Sequence, residues 1–450
     1  MAGRWIEQWD PEDETFWEAE GKHIAKRNLI FSVISEHIGF SVWSMFSVMA
    51  LFMGPQYGID PAGKFFLVAV ASLVGAALRV PYGFAVARFG GRNWTIVSAG
   101  MLLVPTTALF AVMEPGTSYT TFMVVAILTG VGGANFASSM TNINSFYPLR
   151  LKGWALGMNA GGGNIGVAVV QLLGLLVIAT AGATQPRLLV GLYIPLIIVA
   201  TVLSATYMNN LGPVKNDSGA AKEAVRDSHT WIMSFLYIGT FGSFIGYSFA
   251  FGLVLQNQFG RTPLQAASLT FVGPLLGSLI RPVGGHLADR LGGARVTLWN
   301  FALMTVAVGV VVAASVQKSL ALFIAGFIVL FILTGIGNGS TYKMIPGIYR
   351  TKAQAKGLMG EDAQIYARRL SGATMALIGA VGAFGGLGIN LALRQSFLTS
   401  GSGTSAFVVF LGYYVLCFAV TWAVYLRKPA RTAAPAATTE KKPQLSYAEV

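Results

Sequence analysis

Charged residues in this chain are spaced so that apolar stretches of membrane-crossing length recur from end to end, and this limits what it can fold into. A helix needs about 20 mostly apolar residues to cross a bilayer. Twelve such runs are set apart by polar breaks, at 29–53, 64–87, 94–113, 119–146, 153–181, 188–210, 231–256, 264–288, 296–316, 319–345, 370–396 and 405–426. Lipid offers backbone groups no hydrogen-bond partner, so each run must satisfy its own amides as a helix. The expected fold is an all-α membrane protein with twelve transmembrane helices. Composition agrees: 11% of residues are charged, against roughly 25% in soluble domains. The 54 glycines suit helices that meet closely at small residues. A disordered chain, a secreted disulfide scaffold and a soluble nucleic-acid binder are excluded. Cys417, in an apolar run, reads as a core residue.

The breaks divide the chain into an N-terminal segment (1–28), a six-helix bundle (29–210), a linker (211–230), a second six-helix bundle (231–427) and a disordered tail (428–450). The linker, with Lys215, Asp217, Lys222, Glu223, Arg226 and Asp227, and the break at 347–369, with Lys352, Lys356, Glu361, Asp362, Arg368 and Arg369, both read as cytoplasmic surface. Glu7, Asp10, Glu12, Asp13, Glu14, Glu18 and Glu20 precede the first run, the wrong charge for a cleaved signal peptide, so the first helix should insert and stay. Twelve spans put both termini on one side. With the termini cytoplasmic, the outer loops hold only Lys64, Arg187, Arg261, Lys318 and Arg394, so most of the 31 Lys and Arg face the cytoplasm. The positive-inside rule therefore orients both termini toward the cytoplasm. Orientation accounts for the net charge of +13 without a nucleic-acid partner.

An internal repeat sets the architecture. Arg79-Val-Pro-Tyr-Gly83-Phe-Ala-Val-Ala-Arg88-Phe-Gly90-Gly91 aligns without gaps on Arg281-Pro-Val-Gly-Gly285-His-Leu-Ala-Asp-Arg290-Leu-Gly292-Gly293, an offset of 202 residues. Gly130-Val-Gly132 and Gly335-Ile-Gly337 repeat at an offset of 205. Two six-helix halves related by duplication are similar to the parallel-repeat plan of a major facilitator transporter, with the substrate held between the halves near mid-membrane.

Arginine inside a span costs about 2.5–3.5 kcal/mol at mid-membrane and survives only against a cavity or a partner. Arg79 lies deep in the second span and Arg281 at the matching position of the eighth, so the duplication places two guanidiniums across the interface between halves. An anionic substrate would relieve that penalty, and a planar fork suits a planar oxyanion. Glycine clusters mark the fifth span (Gly157, Gly161, Gly162, Gly163, Gly166) and the eleventh (Gly379, Gly382, Gly385, Gly386, Gly388). Such clusters let helices cross closely and slide. Asn164, polar within the first cluster, is a candidate hydrogen-bond donor to the substrate.

Ala77-Leu-Arg79-Val-Pro81-Tyr82, Gly133-Ala-Asn135-Phe136-Ala-Ser-Ser139-Met140, the glycine signature around Asn164, Thr240-Phe241-Gly-Ser-Phe244-Ile-Gly246, Arg290-Leu-Gly292-Gly293-Ala-Arg295-Val-Thr297 and the second glycine signature near Gly385 extend over nearly the whole chain. Together they resemble the nitrate/nitrite porter family of the major facilitator superfamily. The resemblance implies that Arg79 and Arg281 hold nitrate or nitrite, with Phe136, Asn164, Tyr237 and Phe241 completing the site. Flat aromatic walls would admit a planar anion and reject tetrahedral sulfate or phosphate. The Gly83–Arg92 loop resembles the superfamily signature between helices two and three, with Ala87 where an acid is usual. Its second copy keeps Asp289 beside Arg290, so a helix-end charge lock is expected in the C-terminal half.

The first span departs from relatives that exchange the two anions without titratable core groups. It carries Glu36-His37, and the tenth carries Lys343 near its cytoplasmic end. Glu36 is the one carboxylate inside any of the twelve runs. It reads either as a proton carrier, making the protein a proton-coupled nitrate symporter, or as a static partner of Lys343 or an arginine, leaving a nitrate/nitrite antiporter. His23, His229 and His286 read as solvated or helix-end residues. No metal-ligand cluster and no nucleophile–base spacing suggests an enzyme, and no cofactor is expected. The remaining rivals are carriage of phosphate, formate or a carboxylate, and a receptor built on a transporter fold. The expected working unit is a monomer in the lipid bilayer, with protons as a further candidate partner.

Overall fold

The computed structural model describes residues 4–212 and 217–427; Lys215 and the tail from 428 lie outside them. It contains twelve helices long and apolar enough to cross a membrane: α1 Glu14–Phe52, α2 Pro61–Phe89, α3 Gly91–Val112, α4 Tyr119–Phe146, α5 Leu149–Ala181, α6 Pro186–Tyr207, α7 Ser228–Phe259, α8 Pro263–Leu291, α9 Gly293–Val316, α10 Leu320–Ala355, α11 Gly360–Ser400 and α12 Thr404–Leu426. An even number of crossings brings both described ends to one end of the molecule, here the proximal end; the opposite end is distal.

Local chemistry sets the helix ends. Asp60 accepts the Gly63 amide at 2.7 Å to start α2, with Pro61 in its first turn. Thr262 and Gln265 form a reciprocal capping box at α8, again followed by a proline. The proximal ends of α2 and α8 carry the duplicated turn: Gly90 and Gly292 have φ of 86° and 88°, where a side chain would be strained. The repeat thus copies a backbone conformation as well as a set of letters.

Three segments are more structured than their polarity suggested. Helices α10 and α11 continue through most of 347–369, which reads as surface by composition, because charged residues that leave the bilayer need not leave the helix. The linker holds a helix, Ser218–Arg226, pinned to the C-terminal bundle by Asp217 with Arg369 and by Glu223 with Lys356 (3.2 Å) and Tyr366 (3.1 Å). The Ala220 amide and Arg369 hold the Asp217 carboxyl below its usual range. The N-terminal segment forms a strap: β1 (Trp5–Ile6) pairs in parallel with β2 (Asn210–Leu211), Trp9 packs edge-on against Phe16 and Phe146, and Glu12 accepts the Leu149 amide at 2.9 Å.

The bundles touch at the helix middles and, more extensively, in the distal half. Phe65 stacks on Phe397 with centroids 5.2 Å apart, Trp43 meets Phe249 at 5.2 Å, and Gln171 donates to the Ser248 carbonyl at 2.7 Å. One face of α5 is buried at Asn164, Ala168 and Gln171 but uncovered at Arg150, Gly153 and Gly157. The matching face of α11 is buried at Gly379, Ala383, Gly386 and Asn390 and uncovered at Glu361, Ile365, Arg368 and Gly372. The halves therefore close distally and part proximally.

Candidate functional site

Two helix irregularities aim the site residues. Regular α-helix in α2 stops at Ala77 and resumes at Arg79, placing the arginine at the break. In α7 a π-turn spans Ile238–Gly242, just after Tyr237 and including Phe241. Such turns rotate the side chains that follow and recur at functional sites.

Arg79 is 2% exposed and Arg281 8%. Arg79 Nε donates to the Gly133 carbonyl at 3.1 Å, and Nη1 reaches across the interface to the Gly379 carbonyl of α11 at 2.7 Å. Its Cζ lies 4.6 Å from the Phe136 ring, 5.1 Å from Phe241 and 5.4 Å from Trp43. Arg281 Nη2 donates to Tyr237 Oη at 3.2 Å. Phe241 stacks on Tyr237 (5.3 Å, 11°) and on Phe136 (6.1 Å, 27°), so an aromatic wall runs from one arginine to the other. Among the described residues, Arg79 Nη2 and Arg281 Nη1 are buried without a hydrogen-bond partner. An unmade hydrogen bond to a buried charge costs about 1.5–3 kcal/mol, so both groups favour an incoming acceptor. Asn164, 1% exposed, likewise has neither side-chain polar atom bonded.

Arg79, Phe136, Tyr237, Phe241 and Arg281 thus form one cluster. Sequence reasoning missed Tyr342, whose ring lies 5.7 Å from the Arg281 Cζ and 4.8 Å from the Tyr237 ring. It stands one residue beyond the position that the 205-residue offset assigns to Phe136, a signal available in the repeat. Trp43 beneath Arg79 was also missed.

Glu36 and Lys343, offered by the sequence as possible ion-pair partners, have different partners in the structure. Lys343 binds Asp289 of α8 at 2.8 Å, half exposed, so it does not neutralise Glu36; in this surface setting the pair contributes at most about 1 kcal/mol. Asp289 thereby locks α8 to α10 through Lys343, while Ala87 has no charge for an equivalent lock. Glu36 is 1% exposed and takes a hydrogen bond from Asn159 of α5 at 2.7 Å; Asn159 also donates to Ser139, which pairs with Ser32 at 2.9 Å. Neither arginine makes an ion pair with it, and its Oε1 is unbonded among the described residues. His37 turns away, its Nδ1 3.1 Å from the Gly162 carbonyl.

The glycines differ in what they make room for. A methyl at Gly162 would strike Val33, at Gly163 the Glu36 carboxylate, and at Gly166 the His37 carbonyl, whereas at Gly161 it would meet nothing within 4 Å. In α11 a methyl at Gly382 would strike the Tyr237 ring, at Gly385 the Gly242 backbone, and at Gly386 Ile245 at 2.9 Å. The fifth-helix signature is therefore the bed of Glu36-His37, and the eleventh is the bed of the π-turn.

Known proteins share the family and the fold. The Major Facilitator Superfamily model matches residues 33–360. The nitrate/nitrite transporter NarU of Salmonella typhimurium is 39% identical over 447 residues, 94% of this chain and 96% of that one. The chain belongs to the nitrate/nitrite porter family of the major facilitator superfamily. Within this family the probable nitrate/nitrite antiporter NarK2 of Thermus thermophilus is 31% identical, covering 95% of this chain and 98% of its own. Among solved structures, the D-xylose–proton symporter shares the fold with a TM-score of 0.65 at 13% identity, covering 89% of this chain and 97% of that one. A bacterial homologue of the human lysosomal transporter Spinster superposes with a TM-score of 0.63 at 14% identity, covering 88% and 95%. The family and its fold are those of transporters, not enzymes.

Proposed function

We propose that the protein carries nitrate and nitrite across the inner membrane of a prokaryote by alternating access, working as a monomer with both termini in the cytoplasm. The observation that carries this reading is the pair of buried guanidiniums, each with an unspent donor, joined by a wall of stacked rings at the bundle interface. One monovalent planar anion satisfies both arginines, with Asn164 as a further donor, and draws the halves together; without it two like charges oppose closure. The distally closed, proximally parted arrangement is then inward-facing, with Arg150 and Arg368 at a mouth that attracts anions. If the rings act as flat walls, Phe136→Ala or Phe241→Ala weakens nitrate binding by about tenfold and narrows the preference over sulfate and phosphate. Competition binding on the purified variants checks this; wild-type selectivity in both would reduce the rings to packing.

Uptake is coupled to protons, with Glu36 as the carrier. The support is its burial among neutral partners, which leaves the carboxylate free to change charge instead of locking it in an ion pair. Cotransport with two protons would draw nitrate inward at about 2.3 kcal/mol per net charge per 100 mV. A second reading, nitrate/nitrite exchange, is favoured by the antiporter name of the Thermus thermophilus relative. Nitrate entry into liposomes free of internal nitrite separates the two. An inward proton gradient is expected to accelerate entry at least fivefold in wild type and not in Glu36→Gln. Entry that requires internal nitrite and ignores both gradient and substitution would establish exchange.

A further inference from the structure

The polar groups around Glu36 continue past it, away from the anion site. Ser35 and Glu36 of α1, Thr95 and Ser98 of α3, and Asn135 and Ser138 of α4 line a cavity of about 10 Å³ inside the N-terminal bundle. That is room for roughly one water molecule, which needs two to four polar partners and finds them here. The lining is rich in acceptors. Thr95 donates its hydroxyl proton to the Gly91 carbonyl at 2.8 Å, Ser98 to Thr95 at 3.3 Å and Ser138 to Asn135 at 3.1 Å, leaving oxygen lone pairs for the cavity. Glu36 Oε1 and both polar atoms of the Asn135 amide are buried and unbonded among the described residues.

The direction of the cavity follows from helix register. Thr95 and Ser98 occupy the first two turns of α3, which starts at the proximal end. Ser35 precedes Glu36 on α1, and Ser138 lies toward the proximal end of α4 relative to Asn135, on the way to Asn142. Asn142 has a buried Nδ2 that is unbonded among the described residues, and it abuts Gly91 at the start of α3. This file of polar groups therefore points from Glu36 toward the proximal end within one bundle, while the arginines and aromatic rings lie between the two bundles.

We infer that this file is a proton route, separate from the anion path, through which Glu36 exchanges its proton with the proximal side. The inference rests on the reading that Glu36 carries the coupled proton. The O–H bond formed at Oε1 on loading breaks as a cavity water takes the proton, leaving the carboxylate hydrogen-bonded to Asn159. The charged groups whose fields reach Glu36 are Arg79 of α2 and Arg281 of α8. Helices α3 and α4 present hydroxyls and amides to the cavity, α5 presents Asn159, and His37 on α1 turns to Gly162. A nitrate between the arginines lowers the positive field at Glu36 and favours its protonated form, and departure of the anion favours release into the file. Loading and unloading of the two substrates are thereby linked without a shared passage. A cavity with room for about one water also passes protons and not nitrate.

Ser98→Val fills the cavity, and Thr95→Val removes a hydroxyl at nearly constant shape, which guards against misfolding. Each is reconstituted beside wild type and Glu36→Gln, and two rates are read: proton-driven nitrate entry into nitrite-free liposomes, and nitrate/nitrite exchange at equal pH. Both valine variants are expected to lose at least fivefold in proton-driven entry while exchange stays within twofold of wild type. Wild-type proton-driven entry in both, with gradient dependence abolished in Glu36→Gln, would overturn the route and leave Glu36 as the carrier. Gradient dependence that survives Glu36→Gln would instead remove the coupling reading, and the route with it. Equal loss of both rates in Thr95→Val would also overturn the route, since a proton path does not serve exchange.

Discussion

Arg281→Lys is expected to lower nitrate affinity roughly 100-fold, although the charge is kept. The guanidinium already spends one amino group on Tyr237 Oη at 3.2 Å and holds another, Nη1, unspent. Lysine has a single nitrogen and cannot brace against the tyrosine while presenting a planar pair of donors to the anion. Losing one or two charge-assisted hydrogen bonds corresponds to about 3 kcal/mol, which gives the factor quoted. Arg79→Lys should lose as much affinity and also the tie from α2 to the Gly379 carbonyl of α11. The parted state of Arg79→Lys should therefore be less stable, whereas Arg281→Lys should melt near the wild-type temperature. Equilibrium binding of labelled nitrate and thermal unfolding on the same samples read both effects. Wild-type affinity in either variant would remove that arginine from the site.

The second large effect concerns the fifth-helix glycines, which composition alone treats as equivalent. A methyl at Gly166 would overlap the His37 carbonyl and at Gly163 the Glu36 carboxylate, while at Gly161 it meets open space. Backbone cannot rotate aside as a side chain can. Gly166→Ala must therefore part α1 from α5, at a cost of about 1–3 kcal/mol or more, and is expected to show the largest drop in melting temperature. Gly163→Ala should displace the carboxylate and weaken proton-driven entry more than exchange. Gly161→Ala should leave stability within about 0.5 kcal/mol. It lies on the face of α5 that is uncovered in the proximal half, so closure of that side brings the added methyl against the other bundle and turnover should fall. Thermal unfolding of all three, with transport rates, checks the ranking; uniform destabilisation would mean that the run serves general close packing.

Much of this architecture is written in one-dimensional patterns. Apolar runs report membrane crossings because the bilayer imposes a length, and the Arg79 and Arg281 segments report duplication because the two halves meet the same packing problem. Single residues were legible where burial is costly: an arginine or a glutamate within a span demands a partner, and the structure brings Arg79 and Arg281 onto one aromatic wall. Partner choice was less legible, since it depends on helix rotation. Lys343 lies on α10 facing Asp289, and the Glu36 partner is a neutral amide on α5, at positions that no spacing rule connects. The pairing of Trp5–Ile6 with Asn210–Leu211 is two residues long and too short to mark either segment as strand. The π-turn in α7 has no local signature beyond its glycines and becomes visible only where α11 offers Gly382 and Gly385 to receive it.

The central claim is that a planar monovalent anion is held between the two arginines, and equilibrium binding of labelled nitrate to purified protein, with unlabelled competitors, tests it most directly. The account predicts saturable binding that nitrite displaces completely, that phosphate, sulfate and formate displace weakly at equal concentration, and that Arg281→Lys removes. Saturable binding displaced as readily by phosphate as by nitrite, or left intact in Arg281→Lys, would contradict it.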